Sequence, residues 1–223
     1  MITVKDVKID AEVAAIMRVS ERQIEALGFT EHSTRHSSIV SKWSGDILRK
    51  IGASERSIQL AEIAGYLHDV GNAVSRVDHA QSGALLAYKI LTRMGLDYDS
   101  AAEVMMAIGN HDEHSGLPVS DVSAALIIAD KADVHKSRVR SNVRTLKPAD
   151  QNIHDRVNFA AESSFITVDE AKKQINLELT INPEICEISD YFEIYFGRMQ
   201  MCRKAAEFLG RKFGLIINVI KML

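Results

Sequence analysis

The chain has 223 residues, of which 46% are hydrophobic and 26% are charged, and it contains only 12 glycines and 3 prolines. This composition is typical of a folded globular protein and excludes intrinsic disorder and fibrous repeats. The 27 basic and 30 acidic side chains give a net charge of −3. That balance excludes a chain-wide basic surface, so we expect neither nucleic acid nor a membrane as a partner.

The cysteines and the apolar segments indicate where the protein resides. Cys186 and Cys202 are too few for a secreted disulfide framework and lack the spacing of a metal site. The N-terminal segment carries charged residues among its apolar ones, which does not fit a signal peptide. The longest apolar run elsewhere, residues 124–129, is far shorter than the roughly 20 residues that span a bilayer. We therefore expect a soluble protein in the reducing cytoplasm.

Glycines, one proline and the apolar periodicity divide the first two thirds of the chain into six predicted helices. They cover about residues 10–27, 34–51, 54–70, 78–94, 100–111 and 120–140. The fifth is predicted to open at a capping box formed by Ser100 and Glu103. So much apolar helix predicts a mainly α fold, with a compact helical bundle over residues 1–147.

The pattern changes after Pro148, where we predict a small α+β appendage over residues 148–223. A short helix over residues 149–162 precedes the strand-like segments FITV and QINLELTI, which predict a hairpin. Apolar residues from Ile188 to Phe213 recur every three or four positions and predict a long helix, which LIINVI follows as a last strand. This helix is expected to pack against its own hairpin, and a homodimer through it is the alternative.

Histidines and acidic residues form the main chemical signal. Six of the eight histidines lie between His32 and His114, several beside an acid. Imidazole and carboxylate ligands together suit divalent ions such as Mn, Fe, Zn, Ni or Co. Asp130 directly follows an apolar run, where a buried carboxylate is unfavourable unless a cation compensates it. The pattern predicts a metal site, with Asp133 in a supporting role.

The order of four of these residues resembles a known signature. His36 in RHSSIV, His68 and Asp69 in LHDVGN, and Asp130 in LIIADKAD resemble the motif of the HD superfamily of metal-dependent phosphohydrolases, over about residues 20–145. The resemblance implies a helical HD domain in which these four side chains hold a first divalent metal ion.

Two further segments resemble the members of this superfamily that bind two metals. HAQSGA begins with His79 and AIGNHDEHSG contains His111, as in symmetrical dinucleoside tetraphosphate hydrolases and, more loosely, HD-GYP cyclic dinucleotide phosphodiesterases. The resemblance implies that these two histidines serve a second ion and that Asp69 bridges both. Asp112 replaces the second histidine of the HD-GYP proteins, and Asn72 replaces a common lysine, which argues against hydrolysis of cyclic di-GMP.

The resemblance implies an enzyme that uses metal-activated water to cleave a phosphoester or phosphoanhydride of a phosphorylated, nucleotide-like small molecule. Asp69 would act catalytically as the bridging ligand, and His114 is the candidate proton donor to the leaving group. Arg76, Lys131 and Arg138 are candidates for substrate binding. The expected cofactor is one or two divalent ions, drawn from Fe, Mn, Ni, Co, Zn and Mg.

Other interpretations remain open at this point. The basic residues near Asp130 would also suit a solvated helix face, and His79 and His111 would also suit caps or hydrogen-bonded core positions. His32, His135 and His154 are expected at the surface. At the level of function, the alternatives are a catalytically degenerate HD domain that senses a nucleotide or a metal, and a structural protein with an incidental histidine cluster.

Overall fold

The protein is described here from a computed structural model, which covers residues 2–29, 34–113, 116–140, 143, 145 and 152–222. The helices in these ranges are α1 (Val4–Ile9), α2 (Ala11–Ala26), α3 (Thr34–Lys50), α4 (Glu55–Leu67), α5 (His79–Arg93), α6 (Tyr98–Gly109), α7 (Asp121–Ala132), α8 (Ile153–Ala160) and α9 (Ile188–Phe208). The strands are β1 (Ala161–Asp169), β2 (Gln174–Ile181), β3 (Lys212–Ile217) and β4 (Ile220–Lys221). Short 3-10 turns cover Val70–Ala73 and Lys136–Arg138.

The predicted mainly α fold with a small C-terminal sheet is confirmed. Helices α2 to α7 correspond to the six predicted helices, and the short helix α1 was not predicted. Polar caps fix several starts: Asp10 accepts hydrogen bonds from the first-turn amides of α2, and Ser54 accepts one from Ser57 at the start of α4. These caps lie where the sequence pattern places them.

Some of the predicted helix ends are wrong. The capping box at Ser100 is wrong, because the Asp97 carboxylate caps α6 by accepting the Ser100 amide and the helix begins at Tyr98. Helix α6 also ends at Gly109, so His111 lies in the loop beyond it. The predicted helix over 120–140 is too long, because α7 ends at Ala132 and the chain turns at Asp133.

The centre of the bundle is formed by α7, which is buried along nearly its whole length, and by the C-terminal half of α4. In α7, the apolar run predicted from the sequence is buried on all sides, from Val122 to Ala129. Helix α4 packs between α3, α6 and α7, and its C-terminal end reaches the middle of the molecule. The polar side chains at the ends of these two helices are therefore brought to one buried point.

The C-terminal strands form a single four-stranded sheet in the order β1-β2-β3-β4. The predicted hairpin is present as the antiparallel pair β1 and β2, and β3 joins β2 in parallel after the chain passes through α9. Helix α9 is shorter than predicted, because Gly210 adopts a positive φ of 70° just after it and Phe213 lies in β3. The last predicted strand is divided by a turn at Asn218 and Val219 into β3 and β4.

Helix α9 packs mainly on α7, with further contacts to β3, α8 and β2. Its Tyr195 and Met199 are buried in the same hydrophobic cluster that fills the bundle, while Phe196 remains 56% exposed. The hydrophobic core is thus continuous across the predicted division at residue 147. No helix in the described ranges has the length and apolarity needed to cross a bilayer.

Candidate metal centre

Five parts of the bundle bring predicted ligands to one place. His68 and Asp69 directly follow α4, and Asp130 lies in the last turn of α7. His36 lies in the first turn of α3, His79 begins α5, and His111 follows α6. These side chains are His36, His68, Asp69, His79, His111 and Asp130, and all except Asp130 are at most 6% exposed.

A close approach of two backbone segments sets the position of His79. A Cβ atom at Gly71 would overlap the backbone oxygen of His79, so only glycine allows the turn after Asp69 to pack against the start of α5. The sequence LHDVGN therefore supplies two candidate ligands and also the glycine that admits a third.

The first group of candidate ligands surrounds Asp130. His36 Nε2 and His68 Nε2 lie 3.3 and 3.5 Å from Asp130 Oδ1. The same two nitrogens lie 3.7 and 3.3 Å from Asp69 Oδ2. Adjacent ligands of one divalent ion, bound at roughly 2.1 Å each, are separated by about 3 Å. The ligand atoms of His36, His68 and Asp130 all lie within 4.8 Å of one another, so they fit a single ion, and Asp69 Oδ2 lies close to both histidine nitrogens.

The second group lies on the other side of Asp69. His79 Nε2 is 3.5 Å from Asp69 Oδ1, the oxygen that does not face His36. His111 contributes to a cluster with His68 and Asp69 in which the candidate ligand atoms all lie within 4.8 Å of one another. The four imidazole rings follow one another with centroid separations of 5.0 to 5.1 Å. Asp69 thus has one oxygen toward each group.

The imidazole rings of His36, His68, His79 and His111 share one hydrogen-bonding pattern. In each of them Nδ1 bonds to a protein oxygen, which makes Nδ1 the protonated nitrogen of the neutral ring and leaves the Nε2 lone pair for a metal. The partners are Asp133 Oδ2 for His36 (2.8 Å), Gly65 O for His68 (2.9 Å), Arg76 O for His79 (3.2 Å) and Ile108 O for His111 (2.6 Å). His68 Nε2 is buried with no hydrogen-bond partner among the described residues, as expected of a metal ligand.

The charges of the metal-free cluster show what an incoming cation replaces. Burial lowers the pKa of His68, but the Asp69 and Asp130 carboxylates outweigh burial and raise this pKa to about 10. Burial raises the pKa of Asp130, but Lys131 and the neighbouring histidines outweigh burial and hold it well below its usual value. Burial lowers the pKa of His111 to about 3. At neutral pH His68 therefore carries a proton where a cation would bind.

We expect the apparent affinity of the metal-free protein for Mn²⁺ to rise with pH, by about tenfold per unit below pH 10. The sign follows from His68, whose pKa of about 10 keeps it protonated through the neutral range, so the ion must displace that proton. Calorimetric titration at pH 6.5, 7.5 and 8.5, in buffers of different ionisation heat, measures both the affinity and the protons released. An affinity independent of pH would contradict this competition.

Asp133 is the carboxylate that orients His36. It is 2% exposed, its Oδ2 accepts from His36 Nδ1, and Arg35 and Arg138 lie 3.3 and 4.0 Å from the same oxygen. Burial raises its pKa, but these three partners outweigh burial and lower the pKa strongly. The carboxylate therefore stays charged and fixes the ring of His36.

Asp133→Asn is expected to weaken Mn²⁺ binding about 10–100-fold, because the candidate ligand His36 loses its charged partner. Calorimetric titration of the metal-free variant measures this change. The matched control is Asp46→Asn, which removes a partly exposed carboxylate from α3, the helix that carries His36. Equal affinities for Asp133→Asn and the wild type would exclude the orienting role.

Four of the candidate ligands, Asp69, His79, His111 and Asp130, line a cavity of about 740 Å³. The three predicted substrate-binding residues line it. Lys131 Nζ lies 2.7 Å from Asp130 Oδ2, and Arg76 lies over the Phe29 ring at 5.5 Å from its centroid. Arg138 donates from Nη1 to the Asp133 backbone oxygen, while its buried Nε has no partner among the described residues. The cavity thus combines the ligand cluster with three cationic side chains.

Several residues around the cavity were not predicted from the sequence. Arg198 of α9 lines it, pairs with Glu113 at 2.9 Å and lies over the Tyr195 ring. His154 is exposed as predicted but also lines the cavity. The C-terminal segment thus contributes to a site in which no role was predicted for it. His114, the candidate proton donor, lies outside the described residues, as does His32.

Asn72, the departure from the superfamily pattern, contacts a candidate ligand. Its Nδ2 donates to Asp69 Oδ1 at 3.0 Å, and its Oδ1 accepts from Arg76 at 3.3 Å. Asn72 therefore connects the Asp69 carboxylate to Arg76, which lines the cavity.

The comparisons with known proteins match the part of the chain that carries the candidate ligands. A model of the HD domain family matches residues 33–137. An uncharacterized protein of Methanocaldococcus jannaschii is 29% identical over an alignment of 136 residues, and the match covers 51% of this chain and 52% of that protein. The chain thus spans about half the length of this relative. The crystal structure of a predicted HD superfamily hydrolase from an uncultured Thermotogales bacterium has 26% identity and a TM-score of 0.45, covering 60% of this chain and 75% of that one.

Proposed function

This chain belongs to the HD superfamily through its residues 33–137, and from that premise we propose that it is a two-metal phosphohydrolase acting on a nucleotide-like small molecule. The superfamily relationship supports metal-dependent phosphoryl chemistry, while the choice of two ions and the substrate are our proposal. The observation that carries it is the position of Asp69, whose two oxygens face different groups of histidine nitrogens.

The ligand set favours two ions that share the carboxylate of Asp69. His36, His68 and Asp130 would hold the first ion with Asp69 Oδ2. We assign the second ion to Asp69 Oδ1 and His79, with His111, whose ligand atom lies within 4.8 Å of those of His68 and Asp69, as its further ligand. When bound, a pair of divalent ions supplies Lewis acidity toward a phosphoryl group and toward the attacking water. The donor set of imidazole and carboxylate fits Mn, Fe, Co, Ni and Zn alike, so it does not select among them.

The protein side chains around the ligands suit a phosphorylated substrate. Lys131, Arg138 and Arg76 place positive charge on the walls of the cavity, where a phosphate group would replace water. Arg138 is held in place by the Asp133 backbone oxygen, so its remaining donors are already oriented before a substrate arrives. A volume of about 740 Å³ is in the range of sites for nucleotide-sized molecules. His114 remains our candidate for the proton delivered to the leaving oxygen.

The proposal is tested by turnover of a panel of phosphate compounds. The panel contains nucleoside mono- and polyphosphates, dinucleoside polyphosphates and cyclic dinucleotides, each assayed with Mn²⁺, Fe²⁺, Co²⁺ or Ni²⁺. We expect metal-dependent release of a nucleotide or phosphate by the wild type. Saturable nucleotide binding with no turnover by fully metal-loaded protein would contradict the hydrolase and favour a sensing domain instead.

A further inference from the structure

The cavity has a second wall that the HD domain does not supply. Helices α8 and α9 begin after residue 137, where the family match ends, and their side chains face the same space as the ligands. The polar residues of this wall are Asn152, His154, Asp155, Asn158, Tyr195 and Arg198. The protein outside the HD domain thus contributes directly to what the cavity binds.

Asn158 is the least satisfied polar group of this wall. It is 3% exposed, and its Nδ2 donates to the His154 backbone oxygen at 2.8 Å and to the Tyr195 hydroxyl at 2.9 Å. The bond to Tyr195 connects α8 to α9, so a purely structural role would explain the position of Asn158 Nδ2. Its Oδ1, however, is buried with no hydrogen-bond partner among the described residues. Buried acceptors without a donor are rare in proteins, because they lose the hydrogen bond they would make in water.

Tyr195 provides the complementary donor. Its side chain is 2% exposed and lines the cavity, and its oxygen already accepts a hydrogen bond from Asn158 Nδ2. The hydroxyl proton of Tyr195 is therefore directed away from Asn158 and is left to be donated elsewhere. The two side chains together present one acceptor and one donor.

A neutral group fits this pair better than a phosphate does. Asn158 Oδ1 is an acceptor, and the Asp155 carboxyl on the same wall would repel a phosphate. A hydroxyl or an amide, by contrast, both donates and accepts. We propose that Asn158 and Tyr195 form a subsite that hydrogen-bonds a hydroxyl or amide group in the non-phosphate part of the substrate. This inference rests on the proposed function, since it describes the same cavity.

The test compares the binding of two kinds of phosphate compound. The ribonucleoside 5′-monophosphates carry sugar hydroxyls and base amides, whereas p-nitrophenyl phosphate carries neither. Tyr195→Phe removes the donor and keeps the ring. The matched control is Tyr191→Phe on the same helix, because the Tyr191 hydroxyl contacts Met199 Sδ at 3.3 Å and this tyrosine is not among the cavity residues.

Dissociation constants are measured by calorimetry on metal-loaded protein, alongside kcat/KM. We expect Tyr195→Phe to weaken the best nucleotide at least tenfold more than it weakens p-nitrophenyl phosphate, and Tyr191→Phe to leave that ratio unchanged. The 2′-deoxy and 2′,3′-dideoxy nucleotides separate the two sources of the group. If Tyr195→Phe no longer weakens the binding of these deoxynucleotides, the partner of Tyr195 is a sugar hydroxyl. If the substitution still weakens their binding, the partner is the base.

Three results would overturn the subsite: equal weakening of both kinds of compound by Tyr195→Phe, no weakening of either, or a wild type that binds none of the nucleotides. The proposed hydrolase activity can be contradicted independently of the subsite. Nucleotide binding that depends on Tyr195, without turnover, would retain the subsite and contradict the enzyme. Hydrolysis of p-nitrophenyl phosphate with no effect of Tyr195 on nucleotides would retain the enzyme and contradict the subsite.

Discussion

Replacing Asp69 with asparagine is expected to abolish both metal binding and hydrolysis. Asp69 has one carboxylate oxygen 3.3 Å from His68 Nε2 and the other 3.5 Å from His79 Nε2, so a single substitution removes charge from both candidate ion sites. Asparagine has nearly the same shape, and the bond from Asn72 to Oδ1 can be kept. The effect is therefore on charge rather than on packing. We expect kcat/KM to fall at least about 10³-fold, since losing the ions removes several kcal/mol of transition-state stabilisation.

The measurement combines elemental analysis with the turnover assay on the same preparation. Asp99→Asn is the control, because Asp99 is an exposed carboxylate in the first turn of α6, and its replacement should change neither quantity. An Asp69→Asn protein that keeps its ions and its activity would show that Asp69 is not a shared ligand.

Removing the metal with a chelator is expected to lower the melting temperature by about 8–16 °C. An ion present at 1,000 times its dissociation constant stabilises the folded state by about 4 kcal/mol, and each kcal/mol corresponds to about 2–4 °C in a chain of this size. The physical reason is the charge left behind. Asp69 and Asp130 lie within 4 Å of the same two histidine nitrogens, with His68 and Lys131 as the nearby positive charges.

Differential scanning calorimetry of chelated and metal-reconstituted protein measures this shift. The chelator should have no further effect on Asp69→Asn, which serves as the control for effects unrelated to the cluster. Identical melting temperatures with and without Mn²⁺, Fe²⁺, Co²⁺, Ni²⁺ or Zn²⁺ would contradict a metal centre and support an incidental cluster of histidines.

The helices and the central ligands could be predicted because their signals are local. The apolar run before Asp130 predicts a buried helix that ends in a carboxylate, and the structure buries that run completely. His68 and Asp69 follow an apolar face that stops at Leu67, so their position at the end of a buried helix also follows from the pattern. His36 was identified by its order relative to these residues, as part of a resemblance rather than by periodicity.

The ends of helices were less predictable, because competing caps decide them. Asp97 and Ser100 are both good cap residues, and only the folded chain shows that the Asp97 side chain accepts the amide of Ser100. The end of α7 depends on Asp133, whose side chain bonds to His36 nearly 100 positions earlier in the chain. A contact of that kind has no local signal.

The C-terminal wall of the cavity was missed for a similar reason. Tyr195 and Arg198 belong to a helix whose apolar stripe indicates burial but not the partner surface. Their place beside the ligands results from the packing of α9 on α7, the helix that carries Asp130. Asn158 reaches the same wall through its bond to Tyr195. A sequence pattern alone could not connect these residues to His68 or Asp69.

The measurement that tests the central claim most directly is the number of divalent ions per chain. Protein is purified without chelator or metal-affinity resin, reconstituted with Mn²⁺, desalted and analysed by elemental mass spectrometry. The arrangement of His36, His68 and Asp130 on one side of Asp69, and of His79 on the other with His111 beside His68, predicts about two ions per chain. Protein that retains one ion per chain, or none, after reconstitution would contradict the two-metal hydrolase.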